Sequence, residues 1–475
     1  MADSNSPTRL VIIGGGPGGY PAAFHAADLG MAVTLVDLEK NPGGVCLYRG
    51  CIPSKALLHA ARVMREAEEA AHFGISFGKP KIDLDKLRAW KASVVESLTG
   101  GLGQMRSIRK VKHEYGRARF LSPTRIAVDA GEGDPKEIDF DYAIIATGSR
   151  PVQLPMFDYS SDRVLDSTSG LDLPDIPKRM LVVGGGYIGL ELGTVYAALG
   201  SKVTVVEMLP HLLPGADRNL VTFVQKRLES TFENILLNTK VVESKTLKNS
   251  VKVTFEDKDG KKSDDTFDRV LVAVGRRPNS EDLGLENTAV NVIERGFIEV
   301  DEQRRTAEPT IFCIGDVAGE PQLAHKATHE GVVAVEAIAG KKTVFAPHAI
   351  PAVVFTDPEI AWCGLTEEEA KQKEIEVKVS KFPWAASGRA KTLERPDGLT
   401  KIIADPESGR VLGVGITGVG AGDMIAEGVL AIEMGATVED LKLTIHPHPT
   451  LSETVMEAAE VYFGSSPHFY QKSRG

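Results

Sequence analysis

A 27-residue segment occurs twice in this chain, and that repeat limits the possible fold more than any other feature. Residues 11–37 read VIIGGGPGGYPAAFHAADLGMAVTLVD, and residues 181–207 read LVVGGGYIGLELGTVYAALGSKVTVVE. The offset is 170 without a gap, and ten positions are identical, among them Gly14, Gly15, Gly16 and Gly19. Each copy predicts a strand, a glycine turn, a helix, a second strand and a closing carboxylate. β-Branched runs suit parallel strands covered on both faces. Gly14, Gly16 and Gly19, with their counterparts Gly184, Gly186 and Gly189, permit a tight turn, close approach of a pyrophosphate and close helix–strand packing. The helix that follows aims its free N–H groups at the phosphates. Asp37 and Glu207 each lie 23 residues past the first glycine, where a carboxylate accepts hydrogen bonds from ribose hydroxyls. A lone GxGxxG is weak evidence. Two copies with strand, helix and acid in place predict two dinucleotide sites; the plainer alternative is two glycine-rich turns in an α/β core. Glu207 would repel a 2′-phosphate and is followed by Met208, Leu209 and Pro210 rather than Arg, so the second copy predicts NAD over NADP.

At 475 residues the chain has room for about three domains. Charged residues at 25% and hydrophobic ones at 42% fit a soluble globular protein and exclude disorder, a collagen repeat or a disulfide scaffold. A formal charge of −10 argues against nucleic acid as a partner. The opening MADSNSPTR has no apolar core for a secretory signal and is too short and Arg-poor for a transit peptide. The expectation is a cytoplasmic protein, or a matrix protein stripped of its presequence. Met180 to Gly200 carries one charge, Glu191, yet holds six glycines. A buried strand–turn–helix explains it better than a membrane span.

Four cysteines occur, at 46, 51, 313 and 363. Cys46 and Cys51 flank four residues in CLYRGCIPSK. A bridge there closes a loop so small that it stabilises by only about 2 kcal/mol. A dithiol that opens and closes is the better reason for the pair. The helix predicted after Pro53 has a dipole that favours a thiolate on Cys51. A zinc site is the rival, but no second Cys/His pair stands nearby in the sequence. Cys313 in TIFCIG and Cys363 in AWCGL read as small buried hydrophobes. An NAD unit and a dithiol exchange electrons only through a group that accepts both hydride and thiolate chemistry, so the first unit is expected to hold FAD.

These motifs continue with AIIATGSRP, LVAVGRRPN, FCIGDVAG, LAHKATHEG, FPWAASGRA and HPHPTLSE. From Leu10 to about Gly464 the chain resembles the flavoprotein disulfide reductases, most closely the branch that oxidises dihydrolipoyl groups. The resemblance implies an α/β fold with two Rossmann-like domains, for FAD and NAD(P), and a C-terminal α+β dimerisation domain. With junctions at Arg150-Pro151 and Arg277-Pro278, the expected divisions are an FAD domain over 1–150, an NAD domain over 151–277, a central region over 278–347 that completes the FAD site, and an interface domain over 348–475. It also implies a homodimer whose active sites use both chains, with no metal and no membrane. The implied substrate is protein-bound dihydrolipoamide, carried by lipoyl-bearing proteins of 2-oxo acid dehydrogenase complexes or the glycine cleavage system.

Residue roles follow from the same resemblance. Cys51 is the thiolate facing the flavin and Cys46 the interchange thiol. Lys55 and Glu191 sit against the flavin ring; alone they read as solvated helix charges, although Glu191 replaces Pro21 of the first copy. Thr147, Gly148, Asp316 and Ala324 contribute to FAD, and Gly275 to NAD. Asp316 alone reads equally as a helix N-cap, and the side chain of His325 is not expected to be catalytic. His448 is the acid–base and Glu453 its orienting partner. Thr450 to Glu453 also reads as a capping box, and both roles can share the carboxylate, one oxygen each. His446 lacks the matching position. Arginines expected of an NADPH-using glutathione reductase are missing after Glu207, and no Cys follows 363, unlike mercuric or large thioredoxin reductases. The chain has both redox cysteines, unlike soluble transhydrogenase. Tyr48 and Arg49 depart from the family's Asn and small apolar residue, which bears on the dithiol's potential and its carrier. The alternative is a related NADH-dependent disulfide reductase, or a diaphorase acting on another disulfide or a quinone.

Overall fold

The computed structural model describes residues 6–470. Its first sheet has five parallel strands in the order Ile311–Cys313, Tyr142–Ile145, Arg9–Ile13, Ala32–Asp37 and Lys112–Tyr115. The second sheet has the same plan, ordered Asn234–Leu236, Lys202–Val206, Arg179–Val183, Arg269–Val272 and Val164–Leu165. Register carries the repeat into three dimensions. Arg9 lies opposite Ala32, and Arg179 lies opposite Lys202, each 170 positions on. Val11, Ile12 and Ile13 are buried, as are Leu181, Val182 and Val183, because helices cover one face of each sheet and a small antiparallel sheet covers the other. The stretch from Met180 to Gly200 is the central strand and its helix Tyr187–Leu199. Among the described residues no helix is long and apolar enough to cross a membrane.

The two units resemble each other beyond the 27 aligned residues. Each inserts a three-stranded antiparallel sheet, before Tyr142–Ile145 in the first unit and before Arg269–Val272 in the second. In the first unit the insert is Arg117–Ser122, Arg125–Asp129 and Lys136–Asp139. In the second it is Thr239–Thr246, Val251–Asp257 and Lys262–Phe267. A common offset is lost there because the first unit spends residues 38–111 on the helices Gly44–Arg49, Cys51–Glu69 and Leu84–Ile108. The second spends 207–233 on one, Arg218–Thr231.

The chain leaves the first unit along Ser149–Pro151 and returns along Arg276–Pro278, and these two segments pair antiparallel. Residues after 278 then give the first sheet its strand Ile311–Cys313, and the helix Ala324–Ile338 packs on the helix Gly19–Asp28. The C-terminal unit is an antiparallel sheet ordered Ala352–Val354, Glu359–Gly364, Val411–Gly418, Leu399–Ala404 and Lys378–Pro383. Helices Ala421–Glu433 and Glu453–Phe463 pack on it.

A single apolar cluster joins all three units: Leu57, many residues of the second unit, and Val354, Ile360 and Leu399. Beside it lies a buried charge knot. Lys401 is 1% exposed and pairs with Asp217, with Glu367 at 2.9 Å and with Asn219 at 3.2 Å. Burial alone would raise the Glu367 carboxyl. Lys401, with hydrogen bonds from Lys381 and Asn219, instead brings it down to about 2. Lys401→Met strands Asp217 without its cation, at an expected cost of about 3–5 kcal/mol, read as a lower unfolding midpoint. Glu367 titrates lower folded than unfolded, so its pairing stabilises above about pH 5 and fades as pH falls toward 2. The same variant should flatten that acid-side loss of stability.

Candidate active site

The two glycine turns assign their residues different tasks. Gly14 and Gly184 have φ of +106° and +109°, and a Cβ on either would strike the carbonyl oxygen of Ala146 or Ala273. Gly19 and Gly189 press against the carbonyls of Gly14 and Gly184. Gly16 and Gly186 are open: a Cβ at Gly186 meets nothing within 4 Å, and one at Gly16 meets only the Gly44 Cα at 3.8 Å. The outer glycines shape the turn, and the middle one leaves room for a ligand to reach the backbone. Asp37 and Glu207 brace these turns. Asp37 accepts from the Gly15 N–H and, at 2.7 Å, from the Glu39 N–H. Glu207 accepts from Gly185 at 2.7 Å and Leu209 at 2.8 Å. Each oxygen keeps an acceptor position for a ribose hydroxyl.

From the first turn a cavity of about 760 Å³ runs to the dithiol. Gly14, Gly16 and Asp37 line one end, and Cys46, Cys51 and Lys55 the other. Thr147, Gly148, Asp316 and Ala324 line its wall, and Glu191 enters from the second unit. Ala324 is the first residue of its helix. Asp316 is no long-helix cap: it lies in a single turn, Gly315–Val317, and its carboxylate accepts from the Ser149 hydroxyl. Arg276 donates to Ser149 Oγ at 2.7 Å and to its carbonyl at 2.6 Å. The open glycine turn, the carboxylate beside it and the cavity's length fit FAD. Ser149, Arg276, Tyr187 and Arg49 also border this cavity. Sequence reasoning missed the first three. Only Tyr187 carried a signal, as the first residue past the second turn.

Cys46 lies in the helix Gly44–Arg49, and Cys51 opens the helix Cys51–Glu69. Gly50 turns the chain between them with no room for a side chain, since its Cβ would meet the Val45 carbonyl oxygen at 2.9 Å. The two thiols ionise unequally. Their mutual hydrogen bond and burial push Cys46 up. The hydrogen bond from Cys46 and the charge of Lys55, against burial, bring Cys51 down to about 7. Among the described residues no group of three or more His, Cys, Asp or Glu is placed to hold a metal.

Lys55 and Glu191 are not solvated helix charges. Glu191 is 3% exposed, and Lys55 Nζ lies 2.7 Å from it. Ser54 Oγ donates to Glu191 at 3.1 Å and the Phe355 N–H at 3.0 Å. Lys55 Nζ also sits 4.4 Å above the Phe355 ring. The helix Tyr187–Leu199 packs on Cys51–Glu69, so Glu191 faces protein rather than water.

His448 Nδ1 lies 2.8 Å from Glu453 Oε1, and the Thr450 N–H donates to Glu453 Oε2 at 2.7 Å. The carboxylate is thus divided between the ring and the chain. The capping box is not formed. Glu453 is the first residue of its helix, and Thr450 Oγ1 bonds Pro447 and Ser452 instead. His448 is 77% exposed, and neither it nor Glu453 lines the cavity of its own chain. Gly184, Gly186, Gly189, Glu207 and Gly275 also lie outside that cavity, at the second unit's own turn. Lys55→Met should move the Cys51 ionisation up by about one pH unit or more, since an opposite charge nearby favours the thiolate. A pH titration of ultraviolet thiolate absorbance in the reduced protein checks this.

Residues 8–331 match the model of the pyridine nucleotide-disulphide oxidoreductases, and residues 350–459 match the dimerisation domain of that family. The chain is similar to a dihydrolipoyl dehydrogenase of Vibrio cholerae, at 49% identity over 96% of both chains. It is 47% identical to one from Geobacillus stearothermophilus, over 99% of this chain and 100% of the other. Among solved structures, LpdA from Mycobacterium tuberculosis matches with a TM-score of 0.88 at 28% identity, covering 95% of this chain and 99% of that one. The HOCl-induced flavoprotein disulfide reductase RclA from Escherichia coli, solved as a Cu(II) complex, matches at 0.85 and 28%, over 96% and 99%. An open glycine turn, a dithiol of unlike ionisation and a full-length match lead to one family: the chain belongs to the pyridine nucleotide-disulphide oxidoreductases, in the branch of the dihydrolipoyl dehydrogenases.

Proposed function

We propose that this protein oxidises protein-bound dihydrolipoamide to lipoamide and reduces NAD⁺ to NADH, using a Cys46–Cys51 disulfide and FAD. The observation that carries this reading is the unequal dithiol at one end of the dinucleotide-sized cavity. FAD, when bound, passes an electron pair between a dithiol and a nicotinamide. Gly14, Gly16 and Gly19 would hold its pyrophosphate and Asp37 its ribose. Thr147, Gly148 and Asp316 would follow its chain, and the helix start at Ala324 would face its ring beside Lys55 and Glu191. Gly184, Gly186, Gly189, Glu207 and Gly275 would hold NAD.

The chain's own residues carry the sulfur chemistry. His448 takes a proton from one substrate thiol, with Glu453 holding the ring and stabilising its cation. The substrate thiolate attacks Sγ of Cys46 in the disulfide, and Cys51 leaves as a thiolate. Its lowered ionisation makes it the better leaving group. The second substrate thiol gives its proton to the departing Cys46 sulfur as its own sulfur attacks the substrate sulfur bound to Cys46. The lipoyl ring closes, and Cys46 departs with a proton. The dithiol gains the electron pair that the substrate loses.

A homodimer completes the site. His448 lies outside its own chain's cavity, on the unit that also exposes Leu430, Met434, Leu443, Ile445 and Phe463. That apolar surface suits contact with a second copy, which would bring His448 to the partner's dithiol. A reducing compartment such as the cytoplasm suits a dithiol that must reopen in every cycle. Lipoyl-bearing proteins of 2-oxo acid dehydrogenase complexes or of the glycine cleavage system would be the carriers. A second reading rests on Tyr48 and Arg49. Tyr48 Oη donates to the Asn41 carbonyl at 3.0 Å, and Arg49 pairs with Glu39 at the cavity wall. That altered wall favours a different disulfide, or a quinone, in a diaphorase.

Dihydrolipoamide should support reduction of NAD⁺ far better than of NADP⁺, and His448→Ala should lower that turnover by about 100-fold or more. FAD binding and NADH oxidation without dihydrolipoamide turnover would favour the second reading. Cys46→Ser should abolish turnover of dihydrolipoamide while NADH still reduces the flavin. Surviving turnover would remove Cys46 from its role.

A further inference from the structure

The loop that carries His448 has few anchors of its own. Pro447 and Pro449 flank the residue, and neither has an N–H to donate. Ile445 is 94% exposed, and Pro447, His448 and Pro449 are exposed as well. Among the described residues, no backbone N–H from 445 to 449 finds a backbone partner. One side chain in this stretch turns inward. That of His446 is only 5% exposed.

Both ring nitrogens of His446 face acceptors. Nδ1 lies 2.8 Å from the Thr444 carbonyl oxygen, which can only accept. Nε2 lies 2.8 Å from Glu427 Oε1, on the helix Ala421–Glu433. A neutral ring satisfies one of these and turns a lone pair on the other. An imidazolium satisfies both. The charged groups that act on it are Glu427 from that helix and Glu453 from the terminal helix, both acidic. The hydrogen bond to Glu427 accordingly raises the ring's affinity for its proton, against the effect of burial.

We propose that His446 is a positioning residue for His448: an imidazolium locked between Glu427 and the Thr444 carbonyl, which pegs the loop so that the next ring but one is presented to the substrate. The proposal rests on His448 being the base. Two different elements then hold the two rings. Glu453 on the terminal helix orients His448 itself, and Glu427 on the preceding long helix fixes the backbone that carries it. The loop needs the second tie because its prolines leave few backbone hydrogen bonds to hold it.

The test compares His446→Gln, Glu427→Gln and His448→Gln in the flavin-loaded protein, with flavin content and dimer mass as checks on folding. Dihydrolipoamide turnover is measured across pH. His446→Gln and Glu427→Gln should each slow turnover by about tenfold, as loosening of a reacting group does. In Glu427→Gln, His446 loses its carboxylate and releases its proton in the neutral range, so the pH profile gains a second ionisation that His446→Gln lacks. A purely structural role would lower the rate without adding an ionisation. Wild-type rates in the first two variants, or a single ionisation in Glu427→Gln, would overturn the proposal while a collapsed His448→Gln leaves the base in place. An active His448→Gln would remove the base, and the positioning role with it.

Discussion

One carboxylate, Glu191, ties the molecule together at its reactive end. A buried charge is costly unless its lone pairs are met, and Glu191 meets them with donors from the other two units. Ser54 and Lys55 come from the helix behind the dithiol, and the Phe355 N–H from the C-terminal unit, while Glu191 itself belongs to the second unit. Removing the first or second unit would leave an unpaired charge, and removing the C-terminal unit would take a backbone donor from Glu191. The same pair fixes Lys55 one turn below Cys51, where its ammonium favours the thiolate. Folding and thiol chemistry thus share a single ion pair.

The glycine turns show similar economy. Asp37 and Glu207 hold their own turns through backbone N–H groups and still have acceptor positions for a ligand. A pre-braced turn loses little freedom when a dinucleotide binds. In both units the middle glycine stays open while the outer two are packed against carbonyls, so the same backbone serves two different sites. The second site differs in what surrounds it, because no dithiol helix follows its second strand.

The molecule also separates the His448–Glu453 pair from its dithiol. Within one chain the cavity holds Cys46 and Cys51, and His448 stands exposed on the C-terminal unit, outside that cavity. In the proposed mechanism, a base kept away from its own dithiol works when a second copy supplies the complementary half. Such an arrangement makes activity depend on assembly.

The sequence by itself determined what short spacings encode. Two dinucleotide turns, their closing acids, and a dithiol at a helix start are local patterns, because a turn or a helix terminus is formed by neighbouring residues. Glu453 was legible as a divided carboxylate, but its capping box failed because the helix begins two residues later than Thr450 required. The paired antiparallel inserts left no common offset, since the helices before them differ in length. That Glu191 is buried, that Ser149 and Arg276 brace Asp316, and that residues after 278 return to the first sheet were decided by tertiary structure. Each depends on which distant segment packs alongside. Burial and long-range hydrogen bonding arise between elements, and the spacing of residues within one element holds no record of its neighbours.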